Sequence, residues 1–282
     1  MFKKKFYILN SLTLAVFLVL LSAFFRGSIH FPGEDKFVSD NKVDIIHYTL
    51  NLNLIDFASS QISGIADLQV MILEENLSEI CLDLLSLKVD SIWIDEASVE
   101  KFIYDGKKIT IPFKELQEKG NTLLITVFYH GKPVKDPKWG GFYIGKNYAF
   151  NMGVGMGFVP HPLGRVWYPC IDSFTDRATY DYFITVSNPN STACPGKLIE
   201  TFDNGDSTTT YHWMMNGSIP TYLSSVSVAN YICISETLNG LLGEIPAKVF
   251  VLQKDSINAV DGFKDLSKWL TCFESLFGPY LW

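Results

Sequence analysis

The clearest periodicity lies in HYTLNLNLID, from His47 to Asp56. Tyr48, Leu50, Leu52 and Leu54 take one side and Thr49, Asn51 and Asn53 the other, the period of a strand with one buried face. Shorter strand-like runs recur at 62–73, 79–84, 89–94, 102–104, 109–112 and 123–130, then at 179–186 and 208–213, and 222–234 reads as a last pair of strands. Ser60–Gly64 reads as a turn, while Asp105-Gly106 and Asn204-Gly205-Asp206 are hairpin signals. Many short strands with no helical period between them predict a mainly-β, antiparallel sandwich.

Two stretches depart from this pattern. Residues 131–163 are crowded with Gly, Pro and aromatics, which predicts an irregular excursion at a rim, either facing a ligand or neighbouring domain or making a long hairpin detour. From Ser256, placed to cap a helix, Val260, Phe263, Leu266, Trp269, Leu270, Phe273 and Phe277 fall at spacings of three and four, up to the stop at Gly278-Pro279. They predict one C-terminal amphipathic helix. Burying seven such side chains is worth on the order of 10 kcal/mol, comparable with the net stability of a domain.

The N-terminus is different again. Lys3, Lys4 and Lys5 precede an apolar run from Leu12 to Phe25, shorter than the roughly twenty residues of a membrane span and suited to a cleaved secretory signal. Counted from Phe6 the run is long enough for an anchor, with Asn10 and Ser11 interrupting it. Either reading predicts export, secreted or periplasmic or membrane-anchored through this segment alone. The expected division is a leader over 1–26, a spacer over 27–41, a β-domain over 42–245 and a different segment, a strand plus the helix, over 246–282.

The chain carries a formal charge of −7, and removing residues 1–23 takes this to −10, because three lysines and no acids go with them. That balance argues against nucleic acid as a partner. Five widely spaced cysteines include no C-x-x-C pair. Cys170 with Cys194 is the least strained pairing if one forms, and buried free thiols are the expected state.

Chemistry is harder to find. A helical zinc site needs H-E-x-x-H, two imidazoles one turn apart with a glutamate as general base. The residues after the five histidines are Phe31, Tyr48, Gly131, Pro162 and Trp213, and no two histidines lie within five positions. A site from distant residues would have to gather His130, His161 and His212. There is no G-x-S-x-G, Cys170 has no histidine nearby in sequence to activate it, and GVGMG lacks the strand-then-helix setting of a phosphate loop. No catalytic residue, metal ligand or cofactor site is expected in this chain.

Three motifs nevertheless resemble one family. GRVWYPCID (164–172) followed by RATYDYFITVSNP, then IPTYLSSVSVANY (219–231), then SKWLTCFESLFGPYLW (267–282) are similar, in that order, to the N-terminal β-domain and first catalytic-domain helix of the zinc aminopeptidases. The resemblance runs from about Ile46 to Trp282. It implies a saddle-like β-domain flanking the cleft of an enzyme that removes N-terminal residues from peptides, with zinc held only in a complete member. Partners so implied are a missing catalytic domain or split-gene partner, and peptides with a free N-terminus. The segment after 246 is then the start of a truncated catalytic domain.

The family also typically offers a Gln or Glu ahead of this junction to the substrate's ammonium group. This chain has neither between Phe150 and Val166, leaving Asn151 and His161 as the cleft-facing candidates. Arg165, Pro169, Cys170 and Asp172 are expected to pin the junction. Trp139, Phe142, Tyr143, Tyr148 and Phe150 are expected to pack beneath the loop or line the cleft. The rival expectation is an exported, non-catalytic β-sandwich that binds carbohydrate or protein through this aromatic rim. An exposed apolar stripe on the final helix would favour the first reading, and rim aromatics standing in solvent around a groove the second.

Overall fold

The computed structural model describes residues 42–281. In chain order the strands are β1 (Val43–Leu54), β2 (Ile62–Ile72), β3 (Leu77–Asp83), β4 (Lys88–Ile94), β5 (Ala97–Ser98), β6 (Ile103–Tyr104), β7 (Lys108–Gln117), β8 (Thr122–Gly131) and β9 (Gly141–Ile144). They continue with β10 (Tyr148–Met152), β11 (Ala178–Ser187), β12 (Ser191–Ala193), β13 (Lys197–Asp203), β14 (Thr208–Ile219), β15 (Ser227–Ala229), β16 (Tyr231–Gly240) and β17 (Gly243–Leu252). Two helices close the chain, α1 (Ser256–Phe263) and α2 (Leu266–Phe277).

Eight strands form the main sheet in the order β13-β14-β11-β1-β2-β8-β4-β5. A four-stranded sheet (β12-β15-β10-β9), a three-stranded sheet (β3-β7-β6) and the β16-β17 hairpin complete the architecture. The mainly-β antiparallel expectation holds, with one exception, the parallel pair β1 and β11. More than a hundred residues separate the two strands, so no tight hairpin fixes their sense.

Burial explains the main sheet. Tyr48, Leu50, Leu52 and Leu54 of β1, Ala66, Leu68 and Val70 of β2, and Tyr180, Tyr182 and Ile184 of β11 are all buried on one face. A bulge between Ile45 and His47 in β1 slips the alternation by one residue, so Val43 and Ile45 join Tyr48 inside. The other face carries Thr49, Asn51, Asp67, Asp181 and His212, partly exposed. Three tyrosine rings from adjacent strands stack within the core, Tyr48 on Tyr180 at 5.0 Å and Tyr180 on Tyr182 at 5.5 Å.

Several expectations need correction. The excursion at 131–163 includes the hairpin that is one of its two expected forms, but it is not irregular throughout, because β9 and β10 pair within it. The 222–234 run is not a pair: β15 joins β10 and β12, while β16 pairs with β17. The turn before β2 is at 57–60, and Gly64 lies inside the strand. The single helix is two, broken at Lys264 and Asp265, where Asp265 adopts φ −102° and ψ 12°; Gly262 and Asp265 are both poor interior residues for a helix. Ser256 does not cap it but donates to Gln253 O.

The cysteines are free thiols, including Cys170 and Cys194, so no disulfide joins that pair, and Cys81, Cys233 and Cys272 are exposed rather than buried. Among the described residues no helix is long and apolar enough to cross a membrane; the leader and spacer segments lie outside the described residues.

Gly64 shows how tightly the sheet faces fit. A Cβ there would stand 2.5 Å from Tyr129 Oη and 2.8 Å from Asn51 O, and the backbone oxygen cannot yield without disturbing β1. Gly64→Ala is expected to destabilise the chain by about 1–3 kcal/mol, read as a lowered urea midpoint with an unchanged slope.

Candidate functional site

The junction between β10 and β11 is built around one carboxylate. Asp172 Oδ1 accepts from Gly164 N at 3.1 Å and Thr221 Oγ1 at 2.6 Å, and Oδ2 from Arg165 N at 3.1 Å and Arg165 Nη1 at 3.2 Å. Arg165 also donates to Pro162 O and Pro160 O, both at 2.7 Å. Both side chains are buried. Burial pushes the Asp172 carboxyl up, while Thr221 and Arg165 oppose that shift.

Backbone bonds staple this knot to the three-stranded sheet. Asp83 N donates to Cys170 O at 2.7 Å and Cys170 N to Asp83 O at 3.0 Å, and Asp172 N reaches Asp83 Oδ2. Gly164 leaves no room for a side chain, since a Cβ would lie 2.9 Å from Thr221 Cβ and 3.0 Å from Asp172 Oδ1. Pro169 and Cys170 sit buried beside Trp167 and Tyr168. Desolvation raises the Cys170 thiol well above its ordinary value, so it remains a protonated core group and not a nucleophile.

The Gly-rich rim has its own anchor, Asp136. Its carboxylate accepts from the amides of Lys138, Trp139, Gly157 and Phe158 at 2.7–3.0 Å. Burial would raise this carboxyl, but the amides of Trp139, Lys138, Phe158 and Gly157 hold it well below the usual carboxylate range. Residue-by-residue reading missed Asp136, although Asp136-Pro137 is a turn-initiating pair that marks it. It also missed Asp83, Thr221 and Ser224, for which the sequence carries no local signal.

Asn151 and His161 are anchored separately. Asn151 is buried, with Nδ2 donating to Ser224 O at 3.2 Å and Oδ1 accepting from Val226 N at 2.7 Å. It clamps β10 to the segment before β15. His161 is exposed as a residue, and its Nδ1 lies 3.0 Å from Gly155 O. No hydrogen bond links the two.

The other histidines do not gather with His161 either. His47 and His212 share the Asp181 carboxylate on the outer face of the main sheet, and His130 pairs with Asp90. Among the described residues no three His, Cys, Asp or Glu side chains are placed to hold a metal ion, so these residues do not fit zinc.

The rim aromatics mostly contact one another. Phe142 is buried, Tyr143 stacks on Phe150 at 4.9 Å, and Lys135 Nζ lies over the Tyr143 ring, 5.0 Å from its centroid. Trp139 and Tyr148 are about half exposed. The C-terminal segment is the opposite case. Between Tyr231 and Leu281 only Leu238 and Glu274 are buried, whereas Ile257, Phe273 and Phe277 are 82%, 63% and 78% exposed. Glu274 ties α2 to the hairpin tip by accepting from Leu241 N and Tyr280 N.

A model of the Peptidase M1 N-terminal domain matches residues 45–223. The chain belongs to that family. Leucine aminopeptidase 2 from Vanderwaltozyma polyspora is 27% identical over 247 residues, covering 84% of this chain and 35% of that protein. A mutant M1 zinc metallopeptidase from Deinococcus radiodurans, bound to a Tyr-Ser-Ala substrate, superposes with a TM-score of 0.70 at 20% identity, covering 85% of this chain and 55% of that one. Aminopeptidase A from Legionella pneumophila, in complex with aspartic acid, gives 0.72 at 16% identity, with 84% and 27% covered. The structural likenesses show a shared fold, and the chain spans between about a quarter and about half the length of these relatives.

Two outcomes follow from the junction's electrostatics. Asp172→Ala strands the buried Arg165 guanidinium and is expected to cost about 3–5 kcal/mol in chemical denaturation. Asp176 is also buried, with Oδ2 lacking a hydrogen-bond partner; desolvation, opposed by the Ile45 amide and helped by Asp44, raises its carboxyl to about 7. The folded state therefore holds this proton more tightly than the unfolded state, so stability is full at low pH and falls as pH climbs from about 4 through about 7. Asp176→Asn is expected to flatten that decline, by on the order of 3 kcal/mol between pH 4 and 8, measured as the unfolding free energy of both proteins across the range.

Proposed function

We propose that this chain is the cleft-flanking N-terminal portion of an exported zinc aminopeptidase-like protein that removes N-terminal residues from peptides. The β-domain supplies the scaffold. On this reading the residues from 246 onward, most of β17 with α1 and α2, begin a catalytic portion, and zinc and the general base are held by residues of that portion other than these.

One observation carries the reading. The β16–β17 hairpin and the two helices have almost no interior of their own, yet they present Ile257, Val260, Phe273, Leu276 and Phe277 to solvent. Amphipathic elements of this kind form where the apolar face is covered, and relatives of the same fold have much additional chain with which to cover it. An aromatic-rim binder of carbohydrate or protein has less support, because Phe142 is buried and Tyr143 and Tyr148 both stack on Phe150. Export rests on the basic end and apolar run of the leader.

The junction contributes rigidity rather than a ligand for the substrate's ammonium group. Asp172, Arg165 and Asn151 all satisfy protein groups, so in the whole enzyme selectivity for a free amino end falls to other residues.

The purified chain is expected to retain no stoichiometric zinc after loading and desalting, and to release nothing from an aminoacyl reporter. Chelator-sensitive cleavage by this chain would overturn the reading. In parallel, Phe273→Asp with Leu276→Asp is expected to change the unfolding free energy by less than about 0.5 kcal/mol. A loss of several kcal/mol would mean the stripe is covered within the chain itself, and the reading would fail on that ground too.

A further inference from the structure

The three-stranded sheet ends in a ladder that splits. β6 pairs antiparallel with β7, Tyr104 opposite Ile109 and Ile103 opposite Thr110. Continued in the same register, Lys101 would face Pro112, Glu100 would face Phe113, Val99 would face Lys114 and Ala97 would face Leu116. Instead the two segments part, and a groove of about 570 Å³ opens along them, lined by residues 97–101 on one wall and by Pro112–Glu115 and Gln117 on the other.

The sequence accounts for the split. Pro112 has no N–H to offer Lys101. Beyond it, the pairing of β7 with β3 jumps from Glu79/Pro112 to Leu77/Gln117, so Phe113–Leu116 stand opposite Ser78 alone. On the far wall, Ala97 and Ser98 have already turned to pair with β4. One wall is the extended backbone of β7 and the other is β5 with the irregular segment that follows it, whose Val99 N–H already donates to Ile92 O at 2.9 Å; neither wall has the other as its ladder partner. The floor is apolar, formed by Ile94 and Leu123, and the mouth alternates in charge through Glu100, Lys101, Lys114 and Glu115.

We propose that this groove binds an extended peptide segment as an added strand. The occupant pairs its main chain with the open edges, as in strand-addition recognition, and points alternate apolar side chains at Ile94 and Leu123. A five-residue wall spans about 17 Å, and the volume falls within the usual range of about 300–1,000 Å³ for binding clefts. The mixed charges at the mouth suit a segment carrying both signs. This inference is independent of the aminopeptidase reading, because the groove shares no residue with the junction or with α1 and α2.

The test is a library of displayed decapeptides selected on the full chain, followed by titration of the enriched peptides against Glu100→Pro and Lys114→Pro, which each delete one wall amide at an exposed position. Binding is expected to weaken at least tenfold in one or both variants. Amide hydrogen exchange on the unaltered protein gives a second readout that does not depend on the variants folding: peptide addition is expected to slow exchange at Glu100, Lys101, Lys114 or Glu115. Enrichment of no peptide over a blank surface, binding to both proline variants as tight as to the unaltered chain, or protection confined to other residues would overturn the proposal.

Discussion

A buried carboxylate has to be surrounded by donors, and Asp172 meets that requirement by drawing four pieces of chain together. It accepts from Gly164 and Arg165 ahead of it and from Thr221 nearly fifty residues on, and its own amide reaches Asp83 in β3. Each donor is itself buried or part-buried, so none can rotate to water if the arrangement loosens. The aromatic core then packs against a fixed loop: Trp167 and Tyr168 follow directly, and Ile171 N reaches Tyr48 Oη in β1. The irregular backbone of the junction is rigid because its polar groups are satisfied by other polar groups in the protein.

The same satisfaction limits what the junction does chemically. The polar side chains of the junction and rim are committed to neighbours: Arg165 to two proline carbonyls and a carboxylate, Asn151 to Ser224 and Val226, and Asp136 to four amides. What the junction offers is shape and firmness, with these three side chains already engaged by the protein itself. The chain's unsatisfied surface is elsewhere, on the C-terminal helices and along the split ladder beside β7. In both places an amphipathic or extended segment stops short of a partner, by lack of a covering core in one case and by a proline followed by a bulge in the other.

Sequence alone determined the class of fold and the motifs that identify the family, because alternation in β1, β2 and β11 depends only on one face being wet and the other dry. It also showed that H-E-x-x-H is not among these residues, since that pattern is local. What it missed was everything that depends on distance along the chain: the parallel pairing of β1 with β11, the parting of β15 from β16 into different sheets, and the roles of Asp83, Thr221 and Ser224 as partners. Hydrogen-bond partners far apart in sequence leave no periodic trace. Only the tertiary structure decided that Asn151 faces inward to its own sheet and that the helix at the end breaks at Asp265 with its apolar side uncovered, because each outcome is set by which surfaces the rest of the fold happens to occupy.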